Sequence, residues 1–449
     1  MIPQPGGASA VWLQGTRPRR QGVIRSLAAR LVWVAAPIVV GFLVVAHPSD
    51  VTALLLAALL CLIGVAITRA AEDGEALMVR TFLLAFAVRI VAVYLLYGLL
   101  TVHHSTLFVG DDVQYDREAA LVQLYWHGKT ALHPTIGFGS DWNYPWINAV
   151  ILQFSPSFLL LPRVVNAFAG ALAAAFAASA SRRLFGSERA GRATGLLAAL
   201  LPSYVIWSSL NLREAWIWLG VSLLAYAVSR FPEVGVRSVS RVVLLAFAIL
   251  AAFRPWAFFV LIAGLALGLL LAFPRGRARA ASALALIAVS ALVFGSLGAT
   301  TSLFHALGER SLPEIHNTFA IGGSALQPVR DFGNGGTALS YAPQTLVYVV
   351  LGPFPGSVRG LRGLFSVPEV LVWYSLLPFV LMGLGRGLRS RPTSGWPLVG
   401  MAGGLIVAIS LVEANGGLIY RHRLMAFLVL LIFAGGGWER LRSKREITA

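Results

Sequence analysis

The chain has 449 residues, 57% of them hydrophobic and only 12% charged. Its mean hydropathy is +0.75. A soluble domain carries about 25% charged residues and has no core able to bury so much apolar surface, so lipid must solvate it. The net charge of +17 invites a nucleic-acid reading, but the cations sit in short stretches between apolar runs. These are Arg17 to Arg30, Arg182 to Arg192, Arg275 to Arg279, Arg386 to Arg391, and Arg440 to Arg445. That is the positive-inside pattern of a multi-pass membrane protein, and no nucleic-acid partner is expected.

In chain order, residues 1–30 form a basic, Pro/Gly-rich tail. A helix rises ~1.5 Å per residue and needs about 20 apolar residues to cross a bilayer. The expected spans are 31–46, 51–68, 80–100, 163–181, 193–210, 213–229, 241–253, 255–273, 280–299, 368–385, 395–412 and 424–438. The first run ends at His47-Pro48 without a small-residue cleavage pattern and reads as an anchor rather than a removed signal. Cys61 is the only cysteine, which excludes an intrachain disulfide. Arg254-Pro255 separates two of the spans, as in half-helices that line a cavity. The apolar stretches 145–161 and 342–357 are expected to be re-entrant or interfacial, because counting the first as a span would invert every later loop.

Twelve spans with both termini in the cytoplasm place every basic cluster inside and the polar stretches 101–144 and 300–342 outside. The fold class is therefore all-α: a polytopic integral membrane protein with about 12 transmembrane helices and two longer extracytoplasmic loops. Residues 31–79 read as an N-terminal transmembrane hairpin, 80–440 as the membrane domain proper, and 441–449 as a short cytoplasmic tail. The expected location is the plasma (inner) membrane.

The first outer loop contains FVGDDVQYDREA at 108–119. Asp111, Asp112, Asp116 and Glu118 fall within eight positions of a chain that has only 19 acids. Asp112, Tyr115, Asp116 and Ala119 are spaced to share one helix face. Asp111 with Gln114 also fits a capping box, the ordinary reading of acids at a helix start. Against this loop the same topology sets Arg163, Arg213, Glu214, Arg254, Glu413, Arg421, His422 and Arg423 at the outer boundary. Charges at that depth usually face a cavity and carry function.

A carboxylate facing arginines beside lipid suits sugar transfer from a polyprenyl phosphate. The acceptor hydroxyl must lose a proton, and a carboxylate can take it. The leaving phosphate needs no acid but does need cations, a role to which planar guanidinium is fitted.

GDDxxY at 110–115, with ExA at 118–120, resembles the first outer loop of the GT-C superfamily of membrane glycosyltransferases, which use polyprenyl-phosphate sugars. Its members include protein O-mannosyltransferases and the lipid A aminoarabinose transferase. RVVNAFAGALAAAFAASASRRLFG at 163–186, LPSYVIWSSLNLREAW at 201–216 and NGGLIYRHRLMAFLVLLIFAGG at 415–436 are similar to further stretches of the superfamily. The resemblance implies a GT-C-like fold and an inverting transfer. It implies Asp111 as base, or as the residue that orients the acceptor with Asp112, and Tyr115 as a wall of the pocket. Arg254, Arg421 and Arg423, with Arg213, Glu214 and His422 beside them, would hold the donor phosphate. The partners implied are a polyprenyl-phosphate-linked sugar, a lipid or glycan acceptor, and the bilayer. Two spans precede the helix at which the superfamily's membrane domain is expected to begin, and Asp-Asp replaces its commoner Asp-Glu.

Two alternatives stay open. LGPFPGSVRGLRGLFSVPEVLVWY at 351–374 is similar to stretches of polysaccharide-assembly proteins, which admits a lipid-linked oligosaccharide polymerase or ligase. Membrane arginines and broken helices also suit a transporter or flippase of a lipid-linked sugar. His103, His104, His127 and His133 lack ligand spacing, so no cofactor and a metal-independent site are expected. A divalent cation on Asp111 and Asp112 is the alternative.

Overall fold

The computed structural model describes residues 51–71, 76–102, 110–131, 143–153, 159–273, parts of 281–292, 335–355, 366–413 and 415–448. Every secondary-structure element among them is a helix. In chain order these are α1 (Val51–Ala71), α2 (Ala76–Val102), α3 (Asp111–Trp126), α4 (Asn143–Leu152), α5 (Leu160–Phe185), α6 (Glu188–Leu200), α7 (Pro202–Ser209), α8 (Glu214–Phe253), α9 (Pro255–Ala272), α10 (Gly335–Leu351), α11 (Val367–Ser390), α12 (Pro392–Val412), α13 (Gly416–His422) and α14 (Leu424–Thr448). Eight of them, α1, α2, α5, α8, α9, α11, α12 and α14, are long and apolar enough to cross a membrane. The chain is a polytopic membrane protein on that ground. The expected span 31–46 lies outside the described residues, and 280–299 is described only in part.

α5 is the central helix, buried almost from end to end, whereas α1 exposes Leu55, Leu59 and Leu62. Its alanines explain the position. Within lipid, helices gain from close van der Waals packing, and small side chains let backbones approach. α2, α6, α8 and α14 crowd around it, and Ser181 on α5 donates to the Ile432 carbonyl of α14. The same logic joins α9 to α12. A Cβ on Gly264 would fall on the Gly400 carbonyl, and one on Gly400 on the Gly264 carbonyl.

One expectation changes at a helix break, and a second break agrees with the expected spans. The span 193–210 is not one helix: Leu201 (φ −58°, ψ 126°) ends α6, and Pro202 opens α7. Pro202 has no N–H for the Ala198 carbonyl, and the Ser203 N–H donates to Glu369 instead of to Ala199. The fully buried Arg89 of α2 supplies the missing donors, bonding the carbonyls of Ala198 (3.0 Å) and Ala199 (3.2 Å) and the Ser208 hydroxyl (2.8 Å). Hydropathy averages across such a break.

The second break lies within α8. As one straight helix its 40 residues would extend ~60 Å, yet Arg254 just past its end donates to Glu214 at its start across 2.7 Å. The chain therefore reverses inside the element. It does so at Gly235, whose φ of 75° and ψ of 176° are open to glycine. Gly220 on the outgoing arm meets Leu250 on the returning one. The expected spans 213–229 and 241–253 are the two arms of this hairpin.

The charged groups divide between two ends of the bundle. At one end Arg183 and Arg391 both reach Glu233 beside the reversal, and Arg386 pairs with Glu439. At the other lie α3, α4, α7, α13 and the starts of α5, α8, α9 and α14. α4 spans 10 residues, too short to cross, and packs against α3 through Ala119, Val122, Ala149 and Leu152.

Candidate functional site

α3 is amphipathic in the way the spacing predicts: Asp112, Tyr115, Asp116 and Ala119 are its buried face. The capping box is not formed. Gly110 takes the N-cap position without a side-chain cap, and Gln114 donates to Glu118 rather than reaching back. Asp111 and Asp112 instead occupy the first turn, where the helix dipole favours negative charge.

The two neighbouring acids then diverge, because successive helix residues point about 100° apart. Asp112 is 1% exposed. Both its oxygens lie 2.7 Å from Arg163 Nη2, and Oδ1 accepts from the Asn211 backbone N–H at 2.5 Å. Asp116 accepts from the same Arg163 (3.0 Å) and from Asn211 Nδ2 (2.7 Å). Burial pushes the Asp116 carboxyl above its ordinary range, against the pull of Arg163.

Asn211 continues this network. Its Oδ1 accepts from Tyr144 Oη (2.6 Å) and Asn148 Nδ2 (2.9 Å). Asn166 donates to Tyr144 and to the carbonyls of Leu210 and Leu212, both at 2.8 Å, which pairs two carbonyls of the buried link between α7 and α8. Tyr115 stacks edge-on against Tyr144 within the same wall, its ring centroid 5.0 Å away. This network fastens α3 to the bundle.

Asp111 faces a second network. Its side chain is 49% exposed, and Oδ2 accepts from Arg421 Nη1 at 2.6 Å. Arg421 donates from Nε to Glu214 Oε1 (2.7 Å), and Arg254 Nη2 donates to the same oxygen at 2.7 Å. Arg213, at the N-cap of α8, adds a cation within electrostatic reach of Glu214 and Arg421. Arg254 Nη1 lies 2.7 Å from His422 Nε2. A guanidinium can only donate, so His422 Nε2 is the acceptor and its proton sits on Nδ1, directed at Glu413. His422 is thus neutral, and burial, with Arg254 next, holds it well below its ordinary titration range. Burial pushes Glu413 up to about 8, against Arg254 and Arg421.

Of the expected residues, Asp111, Arg213, Glu214, Arg254, Arg421 and His422 therefore converge, and Asp112 and Tyr115 stand behind them. Arg423 does not join. It is 3% exposed, donates to the carbonyls of Val349 and Gly352, and lies over the Tyr420 and Phe427 rings at 4.7 and 4.8 Å. Two helix positions separate it from Arg421, which turns it to another side. Asn211, Asn166, Tyr144 and Asn148 were not expected. Their signal was present only as polar residues inside or beside apolar runs.

Among the described residues no three His, Cys, Asp or Glu side chains converge as metal ligands. His127 lies at the end of α3 with Nδ1 2.7 Å from the Gln123 carbonyl, and His103, His104 and His133 are outside the described residues. No protein-family model, curated protein or solved structure matches the chain.

Proposed function

We propose that the chain is a GT-C-type membrane glycosyltransferase. It transfers a sugar from a polyprenyl-phosphate donor to an acceptor hydroxyl on the extracytoplasmic face of the plasma membrane, with both termini in the cytoplasm. The observation that supports this most is the position of Asp111. Within the two networks Asp112, Asp116, Glu214 and Glu413 are buried, and Asp111 alone presents a half-exposed carboxylate at the edge of a cluster of arginines.

In the transfer, Asp111 takes the proton of the acceptor hydroxyl as its oxygen attacks the anomeric carbon from the face opposite the phosphate. The bond from that carbon to the phosphate oxygen breaks, the electron pair leaves with the phosphate, and the anomeric configuration inverts. Arg421, Arg254 and Arg213 hold the departing phosphate oxygens. Glu214 orients two of those guanidinium groups by accepting from both. The Glu413–His422 pair fixes Arg254 from its other side. Asp112 and Asp116 act at a distance by fastening α3, so that Asp111 meets Arg421.

The test is a detergent assay that offers polyprenyl-phosphate sugars and scores released polyprenyl phosphate. Asp111→Asn should express and melt like the parent and lose transfer by a factor of roughly 10² or more. Full activity in that variant would remove the proposal.

A further inference from the structure

We propose, on the footing of the glycosyltransferase reading, that Arg421 is shared between the base and the leaving group. Its ion pair passes from Asp111 to the donor phosphate as Asp111 becomes protonated. The geometry is that of a three-way junction. Nε is anchored on Glu214 (2.7 Å), Nη1 is held by Asp111 Oδ2 (2.6 Å), and Nη2 makes no hydrogen bond among the described residues. The residue keeps 9% of its surface exposed. A phosphate that reaches Nη2 is therefore within one guanidinium width of the base. While Asp111 is ionised it holds Nη1 and repels the same phosphate.

The charge count shows what the arrangement achieves. Arg213, Arg254 and Arg421 carry three positive charges, and ionised Asp111 and Glu214 carry two negative ones, which leaves +1. His422 is neutral, and Glu413, raised to about 8, holds its proton at neutral pH. The donor is a phosphodiester with one negative charge. The product, a polyprenyl phosphate monoester, carries two once its second oxygen is freed. The proton that leaves the acceptor hydroxyl neutralises Asp111 at the moment when the phosphate gains its second charge. Site and lipid together hold the same charge before and after, while the site alone changes from +1 to +2. Arg421 Nη1, released by the neutral acid, turns to the phosphate oxygen that has just gained the charge. A charge-assisted hydrogen bond is thus exchanged for another rather than created from nothing, in surroundings where an unpaired charge is costly.

Asp111→Asn is nearly isosteric with the protonated acid and fixes the site in its product-state charge. The ligands are polyprenyl monophosphate, a dianion, and its monomethyl ester, a monoanionic diester like the donor. Binding to the purified full-length protein in detergent should be roughly five- to tenfold tighter in Asp111→Asn than in wild type for the monophosphate, and improve less for the ester. In an Arg421→Gln background the Asp111→Asn gain should shrink to about twofold, the part due to relief of direct carboxylate–phosphate repulsion, because the rest passes through one guanidinium. Equal or weaker monophosphate binding by Asp111→Asn would overturn the sharing, as would a gain undiminished by the loss of Arg421. Failure of wild type to bind either lipid would instead sink the glycosyltransferase reading beneath it.

Discussion

Asn211→Ala probes whether the buried network truly fastens α3. Asn211 is fully buried, and its amide makes three hydrogen bonds: from Tyr144 Oη at 2.6 Å, from Asn148 Nδ2 at 2.9 Å, and to Asp116 Oδ1 at 2.7 Å. The two neutral bonds are worth ~1 kcal/mol each, and the one to a carboxylate ~1.5–3 kcal/mol. Alanine leaves all three partners buried without a replacement, so a loss of ~4 kcal/mol is expected. The backbone N–H of residue 211 still reaches Asp112, which keeps the loss below that of removing Arg163. Melting of the detergent-solubilised protein, followed by tryptophan fluorescence, should fall by on the order of 5 °C. Transfer should fall with it, because α3 carries Asp111. Asn211→Asp should be worse, since it sets a carboxylate oxygen against the Asp116 oxygen that accepts from the Asn211 amide at 2.7 Å. Melting of Asn211→Ala within about 1 °C of wild type would refute the reasoning.

Two further outcomes follow from burial and from packing. Glu413, raised from 4.5 to about 8, binds a proton in the folded chain that the unfolded chain has released between those values. The folded state is therefore favoured most below about pH 4.5 and loses that advantage as pH rises towards 8, by up to a few kcal/mol. Melting temperature recorded across this window should decline in wild type and decline less in Glu413→Gln; parallel curves would contradict the assignment. At the α9–α12 crossing, Gly264→Val must push the backbones apart at the Gly400 carbonyl, for a loss of ~1–3 kcal/mol, whereas Gly403→Ala points into open space and should melt like the parent. Equal melting of the two variants would show that the close approach carries no stability.

The sequence by itself determined the class of the molecule and the location of most of its spans. Twenty apolar residues have no stable place but lipid or a core, and a backbone in lipid must be helical, so composition and run length suffice. It also brought Asp111, Arg213, Glu214, Arg254, Arg421 and His422 into one candidate set, because charge at a membrane boundary is costly enough to stand out against an apolar chain.

Tertiary structure alone decided which charges meet. Asp111 and Asp112 are adjacent and chemically identical, yet one opens to solvent beside Arg421 while the other is sealed against Arg163. That difference comes from the rotation of α3 about its axis, which is set by Asn211 and Tyr144 on other elements. Arg421 and Arg423 part in the same way. The expected spans place a turn between 229 and 241, but only the structure shows that this reversal brings Glu214 to Arg254. Apolar runs report how long a segment remains in lipid. Which face of a helix meets which neighbour depends on side chains distant in the chain, and that is where the candidate site acquires its geometry.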